Sequence, residues 1–335
     1  MDRRSFVAAA LLTVAGCGQS PTTETPTATG TATETPTQTA TSTATETPTE
    51  TATETPTQTA TETPTETATE TPELSQREER AATALTNATR ELTQAIGTYV
   101  GEDNDSLVDV SAASESFDRI QVIGDISDAD NHLETARDTA SSRQQARLAG
   151  VEDAREFLRL SVDAQTALIE TYGHVERGRD AVSDENADAV ESAIRSLRDS
   201  RRRAERWFTR ITEQTDAEPV SVVPALPVSE YEAKVGQFEA ELAGFESLRE
   251  FLDRLRAAVA TLSDAKRFDR VDRERRAREE AQEAATAFES VASELQTFAA
   301  DLSEAGAALE GISTELADVA AIKAETAREI EEDNS

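Results

Sequence analysis

Cysteine is all but missing. Cys17 is the only one in 335 residues, so no disulfide can form within the chain. Long apolar runs are missing too: the longest, Phe6 to Val14, is about nine residues, against the roughly 20 a membrane-spanning helix takes. Positive charge is scarce, with 33 Lys plus Arg against 66 Asp plus Glu and a formal net of −33. Phosphate backbones are gripped by basic footprints, so nucleic acid is excluded as a general partner. Lysine is scarcest of all, at Lys234, Lys266 and Lys323 only. No Gly-x-Ser-x-Gly elbow occurs, and no phosphate-cradling glycine loop follows a strand, because strand-type alternation is confined to Val220–Val223. Carboxylates are too abundant for any pair of them to point to acid–base chemistry. Neither an enzyme nor a cofactor is expected.

The first residues form a processing segment. Arg3 and Arg4 precede Phe6 and the short apolar run, and Leu12-Thr13-Val14-Ala15-Gly16 leads into Cys17. Arg3, Arg4 and Phe6 resemble a twin-arginine export signal, from which Asp2 and Val7 depart. The residues before Cys17 resemble a lipobox. The resemblance implies removal of residues 1–16, acylation of Cys17 and a lipid anchor at the outer face of the cell membrane. Two acyl chains anchor firmly where a single one does not.

From Gly18 to Pro72 there is no Leu, Ile, Val, Met or aromatic residue, so nothing offsets the entropy of ordering the backbone. The octad TETPTQTA at Thr33–Ala40 recurs in near-identical form from Thr45, Thr53 and Thr61. Regular prolines favour extended geometry and regular glutamates repel one another, which makes residues 17–73 a stalk. Fully extended at about 3.1 Å per residue, it reaches on the order of 170 Å. Thr beside Pro is the composition of O-glycosylated stalks and equally of a plain spacer. Acid-rich, Lys-poor and Thr-stalked, the chain resembles the exported lipoproteins of haloarchaea. At molar salt the screening length falls to roughly 3 Å, which removes most of the self-repulsion of such a surface.

Everything after the stalk has helical periodicity. Ala81, Leu85, Ala88, Leu92, Ile96 and Tyr99 recur every three or four residues, as do Leu148 to Tyr172 and Val190 to Ile211. After Pro72 the only prolines are Pro219, Pro224 and Pro227, which divide the body into a helical half at 74–218, a linker at 219–228 and a bundle at 229–335. Ser229 with Glu232 has the spacing of a capping box. Stripes at Tyr231–Leu262, Ala281–Leu302 and Leu309–Ile322 predict three long helices, with turns near Ser263–Arg267 and near Gly306 or Gly311. Four more helices are expected in the first half, with a break at Gly101–Asp105. The expected fold is all-α, an elongated antiparallel bundle of about seven helices with coiled-coil-like seams.

Candidate sites are few. Glu170 with His174, and Asp128, Asp130 and His132 at a helix start, offer loose metal-ligand spacings, but solvated side chains explain both and no metal site is expected. Asn87-Ala88-Thr89 and Asn104-Asp105-Ser106 are glycosylation sequons, so Asn87 and Asn104 are candidate glycan acceptors. Seven arginines lie between Arg195 and Arg210 with only Asp199 and Glu205 among them. Arg201, Arg202, Arg203 and Arg206 are the candidates for anion contact, because guanidinium forks bind sulfate, phosphate and carboxylate bidentately. The competing expectation is that these arginines neutralise the acidic helices beside them. The expected role is a helical interaction or structural module held on a stalk, its partner an envelope protein or a second copy. The alternative is a solute-capturing or sensory lipoprotein with a pocket between helices.

Overall fold

Capping and chain breaks set the helix ends in the computed structural model, which describes residues 75–102 and 104–335. The segment with Arg3, Arg4 and Phe6, the Cys17 lipidation site and the stalk lie outside the described residues. Helix α1, Gln76–Val100, opens on a capping box: Glu78 N donates to Ser75 Oγ (3.3 Å) and Ser75 N to the Glu78 carboxylate (2.9 Å). It stops at Gly101, whose φ of +83° favours glycine. Helix α2, Arg119–Thr139, is capped by Asp118, and α4, Ala187–Gln214, by Asn186. Between them runs α3, Gln145–Ser183. A short α5, Ala217–Val220, precedes α6, Val228–Asp269, then α7, Glu274–Asp301, and α8, Glu310–Asp333. Single 3-10 segments at Leu107–Asp109 and Glu304–Leu309 complete the elements. The described residues thus form eight helices and no strand, an all-α bundle.

Contacts across the helices set their directions. Gln144 reaches the Glu78 carbonyl and Tyr99 reaches Gln165, so α1 runs parallel to α3. Arg137–Glu152 and Arg155–Asp130 make α2 antiparallel to it, and Arg203–Glu170 with Thr171–Ser200 do the same for α4. Helix α6 runs parallel to α3: Lys234 meets Gln165, and Leu252 packs on Gly178, where a Cβ would stand 2.9 Å from it. Arg179–Glu315, Lys323–Glu185 and Asn334–Asp269 align α8 with both. At 1.5 Å per residue, the 42 residues of α6 span about 63 Å. Its first half therefore packs on α3, α4 and the 101–118 connection, and its second on α7 and α8. One apolar core runs through all of these helices, with Phe157, Phe238, Phe245 and Phe288 fully buried. Each such side chain contributes about 1.5–3 kcal/mol by leaving water.

Three local expectations are corrected. The Ser263–Arg267 turn lies inside α6, because Leu262 and Ala265 stay buried and neither Gly nor Pro interrupts the helix; the reversal falls at 270–273, where Asp272 takes φ +52°. Ser229 does not cap α6, which starts one residue earlier behind Pro227 with no side-chain cap. Pro219 sits within α5, in a first turn where its missing N–H has no partner to lose, and the Val220–Val223 run ends that helix and turns away rather than forming a strand. The break near Gly306 is present as the 3-10 segment, while Gly311 lies within α8.

Candidate interaction surface

Two polar constellations stand out, one buried and one exposed. The buried one grows from α6, where Glu230, Lys234, Gln237 and Glu241 fall three or four residues apart and so share a face with the 101–118 connection. Lys234 and Glu241 are fully buried. Lys234 Nζ donates to the carbonyls of Leu107 (2.9 Å) and Val110 (2.6 Å) and to the side-chain oxygens of Gln165 and Gln237 (both 2.8 Å). Phe238 and Tyr99 offer it ring faces at 4.7 and 5.4 Å. Gln237 passes the link to Glu241 Oε1 (3.1 Å), which also accepts from Ala112 N (3.2 Å). Glu230 accepts from Ser106 Oγ (2.7 Å) and Leu107 N. Burial lowers the Lys234 ammonium and raises the Glu241 carboxyl, each opposed by the charge of the other. This network is a clamp. An irregular connection leaves backbone groups that must be paired when buried, and α6 supplies their partners.

The other two lysines are also spent internally. Lys266 (2.6 Å) and Lys323 (3.0 Å) both donate to Glu185 in the α3–α4 turn, where φ is +56°. Burial would raise the Glu185 carboxyl, but the two lysines outweigh it and hold the group below its ordinary value. Every lysine of the chain thus ties helices together.

The exposed constellation is the arginine-rich α4, and the structure splits its candidates into two pairs. Arg201 Nε donates to the Leu242 carbonyl (3.1 Å), with Glu246 at 3.4 Å and Glu205 at 3.6 Å. Arg203 is paired with Glu170. Arg202 and Arg206 point outward, as do Arg195 and Arg210, and none of these four has a carboxylate oxygen within 4.0 Å among the described residues. Half-buried Trp207 packs against the core with the Arg210 guanidinium 4.7 Å from its ring centre. The helical phase decides this split: positions 201 and 203 flank the buried seam of Leu197, Ser200 and Ala204, and 202 and 206 lie opposite it.

The remaining candidates are dispersed. Asp130 is taken up by Arg155 at 2.7 and 2.8 Å, and it lies with Asp128 and His132 in the middle of α2 rather than at its start. His174 Nδ1 lies 2.5 Å from Arg177, and its pKa is lowered, first by burial and then by that guanidinium. Its neighbour Glu170 is engaged by Arg203. No group of three His, Cys, Asp or Glu fit to hold a metal occurs among the described residues. Asn87 is half-buried within α1. Asn104 is exposed, but its amide donates to the Val100 carbonyl (2.8 Å) at the end of α1.

The spaces between helices are open to solvent. One of about 700 Å³ is a trough between α6 and α7, lined by Arg254, Thr261, Gln282 and Ser290 and by the apolar Ala257, Ala287 and Val291. Large exposed apolar residues are scattered singly at Ile120, Val222, Val271 and Ile322. Among the described residues no helix is long and apolar enough to cross a membrane. In comparison with known proteins, the chain matches no protein-family model, no curated protein and no solved structure.

The clamp residues Lys234, Gln237 and Glu241 were not singled out by apolar spacing, which reads only the stripe they interrupt. The available signal was rarity: a lysine in a chain that otherwise uses arginine, placed between Tyr231 and Phe238.

Proposed function

We propose that this chain is a lipid-anchored surface protein that holds a helical interaction module away from the membrane and performs no chemistry of its own. The observation that carries the reading is where the bundle spends its polar groups. The buried ones, Lys234, Gln237, Glu241 and Gln165, bind one another and the backbone and leave only Gln165 Nε2 and Glu241 Oε2 among their atoms without a partner, so partners meet the outer faces of the helices. Solute capture has less support, because pockets for small molecules are concave and bury most of the ligand, whereas the spaces here lie open to solvent. The anchor rests on Cys17 and the residues before it. Metabolic labelling with a clickable lipid precursor, combined with protease shaving of intact cells, tests it. The parent chain takes up label and is shaved, while Cys17→Ser takes up none and is released to the medium. Labelling that persists in Cys17→Ser, or a parent chain protected from protease, overturns the reading.

A further inference from the structure

We propose that the outward face of α4 binds a linear polyanionic glycan, a polysaccharide chain bearing sulfate or carboxylate groups, along Arg195, Arg202, Arg206 and Arg210. The proposal rests on the interaction-module reading and names the partner class that this surface fits. The four positions are seven, four and four residues apart, which at 100° per residue keeps them within an arc of about 80° and at 1.5 Å per residue sets them along about 22 Å of helix. All four are exposed and none has a carboxylate partner among the described residues. Of the two acidic residues between them, Glu205 is turned toward Arg201 at 3.6 Å, which leaves Asp199 as the one competing charge on the row. Arg198 stands at its edge, facing Glu246, whose carboxyl is lowered chiefly by Arg249 and also by Arg201 and Arg198.

The rest of the surface narrows the choice of partner. In a chain of net charge −33, a single positive row attracts polyanions while its flanks repel them. A broad acidic protein face would meet those flanks, whereas one narrow chain touches only the row. Protein partners also anchor through apolar or aromatic residues in pockets, and large exposed apolar residues here lie on other elements. The shallow dish beside Arg202, Arg206, Thr209 and Arg210, about 490 Å³, offers three guanidinium groups and a hydroxyl, with the carboxylates of Glu205 and Glu213 at its edge. Guanidinium forks match sulfate and carboxylate oxygens in pairs, which lysine does not. The second basic stretch, Lys266 to Arg278, lacks this separation, because Asp269, Asp272 and Glu274 alternate with its arginines.

The test is titration calorimetry of the full chain with dextran sulfate, polygalacturonate, neutral dextran and poly-glutamate, at low and at molar salt. The parent chain should bind the two charged polysaccharides and not neutral dextran, more weakly at molar salt. The variant R195Q/R202Q/R206Q/R210Q should bind on the order of tenfold more weakly, with a shallower salt dependence, and unfold at the parental temperature. R201Q/R203Q should keep the affinity and lose thermal stability, because those two side chains bind the protein itself. Equal affinity in the fourfold variant overturns the site, as does a parent chain that binds neither charged polysaccharide at low salt. Poly-glutamate bound as tightly as the polysaccharides overturns the glycan assignment in favour of an acidic protein. Cys17 takes no part in the titration, so failure of the anchor and failure of this site are read separately.

Discussion

Replacing Lys234 by Met removes one charge while nearly keeping the side-chain volume, and its consequences follow from the clamp. Gln237 Oε1 loses its only donor, and the carbonyls of Leu107 and Val110 keep only long contacts, 3.3 Å from Val110 N on the first and 3.4 Å from Gln237 on the second. Gln165 Oε1 keeps the Tyr99 hydroxyl. A buried polar group without a partner costs about 1–3 kcal/mol, so one bare oxygen and two weakly held carbonyls give about 2–5 kcal/mol after the relief of no longer burying an ammonium. For a body of this size that lowers the unfolding midpoint by about 10 °C. The pH dependence is the sharper test. In the parent, the charge of Lys234 holds back the rise of Glu241, so the pH slope that the carboxyl adds ends at a lower pH than it would alone. Without Lys234, burial of Glu241 is opposed only by its hydrogen bonds from Ala112 and Gln237, and its folded value rises further. A raised folded value means that the folded state holds the extra proton, so stability is fully present below the unfolded glutamate value and falls as pH rises. The slope reaches about 1.4 kcal/mol per pH unit until the folded value is passed. Urea unfolding of the full chain, followed by circular dichroism from pH 4.5 to 8, measures it against the parent, and K234M/E241Q, which lacks both groups, should lose the slope. A loss below about 1 kcal/mol with no slope in K234M refutes the argument that the clamp holds the connection.

Other outcomes follow from single sites. Gly150→Ala places a Cβ 2.8 Å from the Pro219 carbonyl oxygen, a backbone atom, and should cost about 1–3 kcal/mol; Gly124→Ala, within α2 and with nothing within 4 Å, should add about 0.5–1 kcal/mol in the same unfolding assay. Glu185→Gly should be less destabilising than Glu185→Ala by about 1 kcal/mol, because both lose Lys266 and Lys323 but only glycine relaxes at φ +56°; equal losses would mean that the turn carries no strain. His174 has a folded value below its unfolded one, so its contribution is present above about pH 6.5 and lost as pH falls through the folded value. A parent-minus-His174→Gln stability difference that does not narrow on acidification contradicts it. Glu294, held by both Arg254 nitrogens and by Ser290, should titrate at about 2 by carboxyl NMR. Its exposed position keeps the stability effect to a few tenths of a kcal/mol, lost as pH falls from about 4.5 toward 2.

Much of the body was legible in the sequence because its signals are local. The stripes of α1, α3, α4, α6, α7 and α8 repeat every three or four residues, and only a helix with one buried face makes use of that period. Proline and Gly101 are equally local, since they act on their own φ and hydrogen bonds, and they mark the ends of α1 and the start of α6. Turn positions without such a residue were misplaced: nothing before Asp272 stops α6, and its true end depends on how far α7 and α8 cover it.

Composition and order along the chain alone determined that no internal disulfide can form, that residues 18–72 have nothing with which to build a core, and that the rest is helical. The tertiary structure alone decided what charge does. It buried Lys234 against carbonyls more than a hundred residues away, set Lys266 and Lys323 on one glutamate, and turned Arg201 and Arg203 to internal partners while leaving Arg202 and Arg206 in solvent. The reason is range. A helical period is set by neighbours along the chain, whereas an ion pair or a desolvated ammonium depends on which helices stand side by side.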